Sequence, residues 1–198
     1  MSTPTSKLIA LTGGIGSGKS VVARILRAMG YPVYDCDLRA RQIIDADPAI
    51  HALLQAHIHP EAVVEGIVNR ALISSIVFAD SDALQRLNTI THSAVRADLL
   101  RWRQQCEGRG QRTLFVETAI LRQSGFISLV DDIWEITAPI DIRIQRVQQR
   151  SHLTPAQIQA RIQSQASESL SDFPHRDICN APTTSILPQI HTLLASII

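Results

Sequence analysis

The eight residues from Gly13 to Ser20, with the sequence GGIGSGKS, hold the densest group of side chains and glycines that could do chemistry. They fit the pattern G-x-x-x-x-G-K-[ST], in which a glycine-rich backbone folds into a concave nest of N–H groups around a phosphate. In such a loop the lysine, here Lys19, contacts the β- and γ-phosphates, and the next hydroxyl, here that of Ser20, is a ligand of Mg²⁺. The alternative is a merely structural glycine turn. The spacing predicts instead a binding site for a nucleoside triphosphate and its metal ion.

Two classes of triphosphate-binding protein are disfavoured because their further motifs are missing. A GTPase reads guanine with an N-K-x-D segment, but the only lysines are Lys7 and Lys19, and neither follows an asparagine. A motor ATPase favours an apolar strand that ends in Asp-Glu, and usually a chain longer than 198 residues. Small-metabolite kinases combine the loop with a carboxylate at the end of the second strand and an arginine-bearing lid. The sequence offers both of these features.

The carboxylates are those of Asp35 and Asp37, which follow a short predicted strand. Ligands of open α/β sheets bind at the carboxyl ends of the strands. On an extended segment two residues spaced in this way share a face. One could then accept the proton of an attacking hydroxyl while the other orients that hydroxyl or helps to hold the metal. The competing interpretation makes Asp37 a helix N-cap and Asp35 a solvated turn residue.

Arginines close to a predicted loop at 151–155 are the candidate lid residues. Arg146 and Arg150 are four residues apart and therefore share one helical face, and a planar guanidinium suits bidentate binding of phosphoryl oxygens. The competing interpretation is a solvated basic face. With the phosphate loop present, we expect at least one of these arginines to reach the nucleotide. The full candidate set is Arg143, Arg146, Arg150 and Arg161, and Arg39 and Arg41 are further candidates for a substrate phosphate.

Alternating strands and helices must position these residues. A buried strand at 8–12 precedes the glycine loop and a helix at 20–29 follows it, and a strand at 31–34 with a helix at 38–46 completes a βαβα opening. Further strands are expected at 112–117, 132–137 and 177–180. Further helices are expected at 140–150, at 161–167 with Ser151 or Thr154 as its cap, and at 187–197. This order predicts an α/β fold of three layers, in which helices cover both faces of a mainly parallel sheet.

The domain organisation follows from the same order of elements. We expect one domain over 1–198, with its core formed by 7–47, 112–150 and 176–198. The segment from about 48 to 111 has helical periodicity throughout and is expected to form a substrate-binding lobe. A lid is expected at about 150–168.

The overall composition excludes several partners and sites. The formal net charge is only +1, from 19 basic residues, 17 of them arginine, and 18 acidic residues, so no global field favours a nucleic acid or a membrane. Three widely spaced cysteines suggest neither a disulfide framework nor a zinc site and fit a reducing compartment. The first residues lack the apolar segment of a signal peptide, and no apolar run is long enough to cross a bilayer. We therefore expect a cytoplasmic protein, monomeric or weakly homo-oligomeric.

The chain resembles the dephospho-coenzyme A kinases along nearly its whole length. The phosphate loop is shared with many kinases, whereas the D-x-D-x-x-A-R segment beginning at Asp35 is far more specific. The matching segments are LTGGIGSGKS at 11–20, YDCDLRAR at 34–41, EGIVNRALISSIVF at 65–78, THSAV at 91–95, ETAILRQSGF at 117–126, IRIQRVQQR at 142–150 and DICN at 177–180. The resemblance implies a P-loop kinase fold with a five-stranded parallel sheet, a helical substrate-binding lobe and a lid. It also implies transfer of the ATP γ-phosphoryl, with Mg²⁺, to the 3′-hydroxyl of dephospho-coenzyme A.

The resemblance also implies roles for individual residues. Asp37 is the expected base with Asp35 beside it, Arg150 and Arg146 are expected over the nucleotide, and Asn180 near the adenine. Lys19 and Arg150 are expected to act on the transferred phosphoryl, and Ser20 on the metal. The expected nucleotide-binding residues are Gly14, Ile15, Gly16, Ser17, Gly18, Lys19, Ser20, Val21, Arg146, Arg150 and Asn180.

Three residues depart from the family pattern. Ser93 stands where the family commonly has proline, and Arg122 and Gln123 stand where it commonly has Phe-Glu. The loss of a carboxylate at Gln123 could alter a contact with the acceptor. Two alternatives therefore stay open: a kinase for another nucleoside-like or small-metabolite acceptor, and a paralogue that binds ATP without transferring phosphate.

Overall fold

The computed structural model describes residues 6–151 and 153–197, so His152 within the expected lid lies outside the described residues. Seven strands and eight helices make up the described chain. The strands are β1 (Lys7–Thr12), β2 (Val33–Asp35), β3 (Val63–Val64), β4 (Ile67–Val68), β5 (Thr113–Glu117), β6 (Asp132–Thr137) and β7 (Arg176–Cys179). The helices are α1 (Lys19–Ala28), α2 (Cys36–Ala46), α3 (Pro48–His57), α4 (Arg70–Ala79), α5 (Ser81–Gly108), α6 (Ile140–Arg150), α7 (Pro155–Ser164) and α8 (Ile186–Ala195). No helix among the described residues has the length and apolar character needed to cross a membrane.

The chain forms two compact units. The first contains the residues up to Tyr34 and those from Cys106 onward, and the second contains Asp35 to Gln105. The expected lobe at about 48–111 therefore differs from the second unit at both ends. The main difference is that α2, which the sequence analysis assigned to the core, makes its contacts with α3 and β4 of the second unit.

A five-stranded sheet with the order β2-β5-β1-β6-β7 forms the centre of the first unit. β1 is the middle strand and pairs in parallel with both β5 and β6. Its residues Leu8 to Leu11 are completely buried, because a central strand of a parallel sheet is covered on both faces and must be apolar along its whole length. The predicted α/β fold with a five-stranded parallel sheet is confirmed.

The core beside β1 depends on an aromatic cluster in this sheet. The ring of Phe115 on β5 packs edge-on against Tyr31, with a centroid distance of 5.6 Å, and against Trp134 on β6, with a centroid distance of 5.1 Å. Helix α1 adds apolar side chains from one of its faces, including the fully buried Val22 and Leu26. The carboxyl end of β1 and the start of α1 are therefore anchored in the same core, which holds the intervening glycine loop at both ends.

The second unit contains a hairpin that the sequence analysis did not predict. Within the segment expected to be helical throughout, β3 and β4 pair antiparallel, with Val63 opposite Val68 and Val64 opposite Ile67. Glu65 and Gly66 both have positive φ, 49° and 77°, which is the backbone of a two-residue hairpin turn. The expectation was wrong here because β-branched residues on both sides of Glu-Gly favour a tight hairpin over continued helix.

We expect Phe115→Ala to lower the free energy of unfolding by about 3 to 5 kcal/mol, because it empties a fully buried site between two aromatic rings. Urea denaturation followed by circular dichroism measures this change. The matched control is Phe78→Ala, since the Phe78 side chain is 94% exposed and its loss should cost less than about 0.5 kcal/mol. Equal effects of the two substitutions would contradict this description of the core.

Candidate functional site

The glycine loop lies between the buried end of β1 and the first turn of α1. The N-cap of α1 is Gly18, which has a left-handed backbone, and no side chain caps the helix. The first N–H groups of a helix have no partner within the helix, and they carry the positive end of its dipole. An uncapped helix start behind a glycine loop is therefore suited to bind an anion.

Two of the loop glycines are required by their surroundings. Gly16 has a φ of 80°, and a Cβ atom there would lie 2.5 Å from the carbonyl oxygen of Arg143. Gly18 has a φ of 100°, and a Cβ atom there would overlap the Nδ2 atom of Asn180. Any other residue at either position would combine a strained backbone with a steric clash.

Lys19 folds back across the loop. Its Nζ donates to the carbonyl oxygen of Gly13 at 2.7 Å and to that of Gly14 at 3.4 Å. The ammonium group is held over the backbone of the loop, where it can act on a bound phosphate without a long movement. Ser20 is exposed in the first turn of α1, and Val21 follows it half-buried.

Ile15 in the loop is held at both of its backbone groups by side chains far away in sequence. The Nε of Arg143, on α6, donates to the carbonyl oxygen of Ile15 at 2.9 Å. The N–H of Ile15 donates to the Oε1 of Gln165, just after α7, at 2.8 Å. Burial lowers the pKa of Arg143 and the carboxylate of Glu135 opposes this shift, but an arginine stays charged at neutral pH.

Arg146 and Asn180 form a second brace on the loop. The Asn180 Nδ2 donates to the carbonyl oxygen of Ser17 at 2.7 Å. The guanidinium of Arg146 donates to the backbone oxygen of Asn180 at 2.9 Å and, through its other terminal nitrogen, to those of Gly16 and Ser17 at 3.5 and 3.4 Å. In this structure the two expected nucleotide-binding side chains thus contact the loop from outside. Arg150, by contrast, is exposed in the last turn of α6.

The structure corrects the expected geometry of Asp35 and Asp37. β2 ends at Asp35 and α2 begins at the next residue, so the two carboxylates do not share a face of an extended segment. The competing interpretation is also wrong, because the N-cap is Asp35, whose Oδ1 accepts from the N–H of Leu38 at 3.0 Å. Asp37 lies exposed in the first turn of α2.

Arg39, a candidate for a substrate phosphate, is already paired within the second unit. Its Nε and one terminal nitrogen each donate to an oxygen of Asp98 at 2.8 Å, a bidentate pair that joins α2 to α5. Arg41 is exposed on α2. The bidentate pair fixes the orientation of α2 relative to α5, and the carboxylate of Asp37 lies in the first turn of this fixed helix.

Glu117, which was not among the predicted site residues, ends β5 in register with Leu11 on β1. Its Oε2 atom is buried. In P-loop proteins a carboxylate at the end of a neighbouring strand helps the loop hydroxyl to hold Mg²⁺. The apolar run at 114–116 followed by a single acid marks this position in the sequence, although it is not the Asp-Glu pair typical of motor ATPases. Gln165 was also missed, and no local pattern in the sequence marks it.

A cavity of about 210 Å³ opens beside the loop within the first unit. Its lining is mainly polar and carries charges of both signs. The lining residues are Thr12, Gly13, Gly14, Ala119, Glu135, Arg143, Ile162, Gln165, Glu168 and Ser169. A small, polar cavity of this kind suits an anionic group or water better than an apolar ligand.

The departures at Arg122 and Gln123 form a consistent local structure. The carboxylate of Glu168 accepts from the backbone N–H groups of both residues, at 2.8 and 3.0 Å, so a carboxylate is present beside this turn although position 123 has lost one. The guanidinium of Arg122 binds the carboxylate of Asp172 at 3.1 Å and covers the ring of Phe173. Hydrogen bonds from Ser171 and Arg122 lower the pKa of Asp172. These contacts tie the turn after β5 to the segment after α7.

One group of side chains could offer three ligands to a metal ion. Glu135, His175 and Asp177 place one ligand atom each within 4.8 Å of one another. The Nε2 of His175 lies 3.5 Å from the Glu135 carboxylate, and its Nδ1 lies 2.8 Å from the backbone oxygen of Phe173. These contacts with a carboxylate and a backbone oxygen account for the orientation of the imidazole.

Comparisons with known proteins identify similar chains. A sequence model of the dephospho-CoA kinase family matches residues 7–172. A dephospho-CoA kinase of Porphyromonas gingivalis is 36% identical over 191 residues, which cover 96% of this chain and 93% of the relative. One of Bacteroides fragilis is 35% identical over 94% of this chain and 91% of the relative.

Solved structures give the same result for the fold. The crystal structure of TT1252 from Thermus thermophilus has a TM-score of 0.77 at 30% identity, with 97% of this chain and 96% of that chain covered. A dephospho-CoA kinase from Campylobacter jejuni has a TM-score of 0.65 at 22% identity, with 96% and 94% covered. A shikimate kinase from Bacteroides thetaiotaomicron shares the fold at a TM-score of 0.56 and 10% identity, with 96% and 98% covered.

We expect Asn180→Leu to weaken ADP binding about tenfold, because the buried carbonyl oxygen of Ser17 loses its 2.7 Å donor and the loop relaxes. Isothermal titration calorimetry with ADP measures the change. Asn88→Leu is the matched control, since Asn88 is exposed on α5. Unchanged ADP affinity in the Asn180 variant would show that Asn180 does not support the loop.

Proposed function

Because the chain belongs to the dephospho-CoA kinase family and is an ATP-dependent kinase, we propose that it phosphorylates the 3′-hydroxyl of dephospho-coenzyme A. The products are coenzyme A and ADP. The observation that carries this proposal is the uncapped, braced glycine loop between β1 and α1, in a chain that matches the family over most of its length. We also propose that the protein works in the cytoplasm, as a monomer or weak homo-oligomer. Among the described residues Cys36, Cys106 and Cys179 form no disulfide, which supports a reducing compartment.

The loop and the start of α1 bind the phosphates of ATP in this proposal. The N–H groups of Gly16, Gly18, Lys19 and Ser20 donate to phosphate oxygens, and the helix dipole adds to the attraction. The N–H of Val21 donates to the carbonyl oxygen of Gly18 at 2.9 Å in this structure. The Nζ of Lys19 leaves the carbonyl oxygens of Gly13 and Gly14 and neutralises charge on the β- and γ-phosphates. Asn180, beside Gly18, borders the nucleotide on its adenine side.

Ser20 and Glu117 fit a magnesium ion as a pair of oxygen donors. Mg²⁺ prefers oxygen ligands and usually keeps several waters, so it needs only one or two protein groups besides the phosphates. The hydroxyl of Ser20 is exposed at the start of α1, and a carboxylate oxygen of Glu117 is buried at the end of β5. When bound, the ion neutralises the charge that develops on the β- and γ-phosphate oxygens.

Asp37 is the general base in this proposal. It takes the proton from the 3′-hydroxyl as the hydroxyl oxygen attacks the γ-phosphorus, and the bond between that phosphorus and the oxygen of ADP breaks. Asp35 has one oxygen engaged as the cap of α2, which leaves Asp37 as the more accessible carboxylate. Asp35 positions Asp37 by starting the helix. Arg150 stabilises charge on the moving phosphoryl. Arg146 does the same once its guanidinium has moved away from the loop carbonyl oxygens.

The acceptor is tested with purified protein, ATP and Mg²⁺. We expect ADP release only when dephospho-coenzyme A is added, with coenzyme A identified by mass spectrometry. A panel of nucleosides and shikimate as alternative acceptors should give less than about a hundredth of this rate. Faster turnover of another acceptor would identify a different metabolite kinase. ATP binding without turnover on any acceptor would identify a non-catalytic paralogue.

We expect Asp37→Asn to lower kcat at least about 100-fold, because the base is lost, while the KM for ATP changes less than about threefold. Steady-state kinetics at saturating acceptor measure both constants. The matched control is Asp141→Asn, because Asp141 is an exposed carboxylate in the first turn of α6, as Asp37 is in α2. Asp35→Asn keeps an oxygen that can cap the helix and should be milder. A normal rate in Asp37→Asn would exclude Asp37 as the base.

A further inference from the structure

Ile15 is held through both of its backbone groups, and the two holding side chains are chemically different. Its carbonyl oxygen accepts from a guanidinium, that of Arg143, which has further N–H groups to offer. Its N–H donates to a carboxamide, that of Gln165. Both side chains also line the cavity of about 210 Å³ beside the loop, with Gly13 and Gly14. A glycine-rich loop that needed only mechanical support could be held by its carbonyl oxygens alone.

The contact with Ile15 determines which end of the Gln165 carboxamide faces the loop. A backbone N–H can only donate, so the atom facing it must be the oxygen, Oε1, and the amide orientation is fixed. The other end, Nε2, is then a donor with two hydrogens. Nε2 donates no hydrogen bond to any group that the structure describes, which are residues 6–151 and 153–197 without the side chains at 166 and 167. The loop therefore holds an amide donor in place next to its own N–H groups.

A donor in this place suits the terminal phosphoryl of the bound triphosphate. The N–H groups that follow Ile15 in the loop surround the phosphates nearer to the nucleoside, and Lys19 reaches the last two. Gln165 belongs to the segment after α7 and contacts the loop at Ile15. A neutral amide there can donate to a phosphoryl oxygen, and its own oxygen stays bonded to Ile15 and so does not repel the phosphate.

We propose that Gln165 is a further catalytic residue, which donates from Nε2 to an oxygen of the ATP γ-phosphoryl while Ile15 holds its Oε1. The proposal rests on the proposed function only in that ATP is the bound nucleotide. Arg143 is a positioning residue in this arrangement, because it holds the other side of Ile15. Two other roles for Gln165 make different predictions: a cap that only satisfies the N–H of Ile15, and a plug that occupies the place of a phosphate oxygen.

Two substitutions at Gln165 separate these roles. Gln165→Met has a similar length but can neither accept from Ile15 strongly nor donate. Gln165→Glu keeps an oxygen to accept from Ile15 but loses the donor and adds a negative charge near the phosphates. Gln163→Met is the control, because Gln163 is exposed in the last turn of α7, just before Gln165. Circular dichroism melts verify that each variant is folded.

The nucleotide affinities are measured by calorimetry with ADP and with a non-hydrolysable ATP analogue. We expect Gln165→Met to lower the affinity for the ATP analogue about tenfold and the affinity for ADP less than twofold, because only the γ-phosphoryl contact is lost. Gln165→Glu should lower the affinity for the ATP analogue at least as much at pH 8. Its loss of affinity relative to the unmodified chain should shrink as the pH falls from 8 toward 5, because the nearby phosphate charge raises the pKa of the introduced carboxyl above its usual value of about 4.3. Gln163→Met should bind both nucleotides as the unmodified chain does.

Three results would overturn the proposal. In the first, Gln165→Met lowers the affinities for ADP and the ATP analogue equally, and Gln165→Glu at pH 8 restores both affinities. Gln165 would then only cap the N–H of Ile15. Tighter binding of either nucleotide in Gln165→Met would show a plug. Unchanged affinities in both variants would show that Gln165 has no part in nucleotide binding.

Turnover separates the failure of this proposal from a failure of the acceptor assignment. If dephospho-coenzyme A is the wrong acceptor, the unmodified chain is inactive with it, but Gln165→Met still loses affinity for the ATP analogue alone. If the acceptor is right and Gln165 has no contact with the γ-phosphoryl, the unmodified chain turns over and Gln165→Met keeps its kcat. With both assignments correct, kcat in Gln165→Met falls about 10- to 100-fold with dephospho-coenzyme A.

Discussion

The site depends on one constraint, which is that the N–H groups of a short loop must turn toward the ligand while its carbonyl oxygens still find partners. A backbone carbonyl that is buried without a hydrogen bond destabilises the fold, so a phosphate nest needs donors on its outer side. Lys19 donates to Gly13, Arg143 to Ile15 and Asn180 to Ser17. These donors belong to α1, α6 and the residue after β7. The nest is therefore a property of the whole first unit, although its pattern is local.

The same donors explain how a nearly neutral chain can bind a highly charged ligand. Lys19, Arg143 and Arg146 hold the carbonyl oxygens of the loop and at the same time concentrate positive charge beside it. The rest of the surface balances to a formal net charge of +1. The attraction for phosphate is therefore local, as the composition suggested, and acts over about one Debye length at most.

The parts of the structure that depend on local patterns could be predicted from the sequence. The apolar run of β1, the glycine spacing and the periodicity of α6 placed those elements within a residue or two, and the family assignment is confirmed by the comparisons. Predictions failed where one or two residues determined the conformation of the backbone. The cap by Asp35 starts α2 at once and removes the shared face with Asp37, and two positive φ values at Glu65 and Gly66 replace helix by hairpin. The contact from Gln165 to Ile15 spans 150 residues, so no spacing rule could have found it.

The position of β1 at the centre of the sheet has a consequence for the order of events during synthesis. β1 and the loop leave the ribosome well before the strands on either side of β1, which begin at Thr113 and Asp132, and well before the distant donors Arg143 and Asn180. An apolar strand without neighbours cannot form a sheet, and a loop without outer donors cannot hold its nest. The nascent chain thus carries the complete phosphate motif long before it has all the donors that hold the loop. The last of these donors, Asn180, comes near the end of the first unit, so a truncated product keeps the motif without its full support.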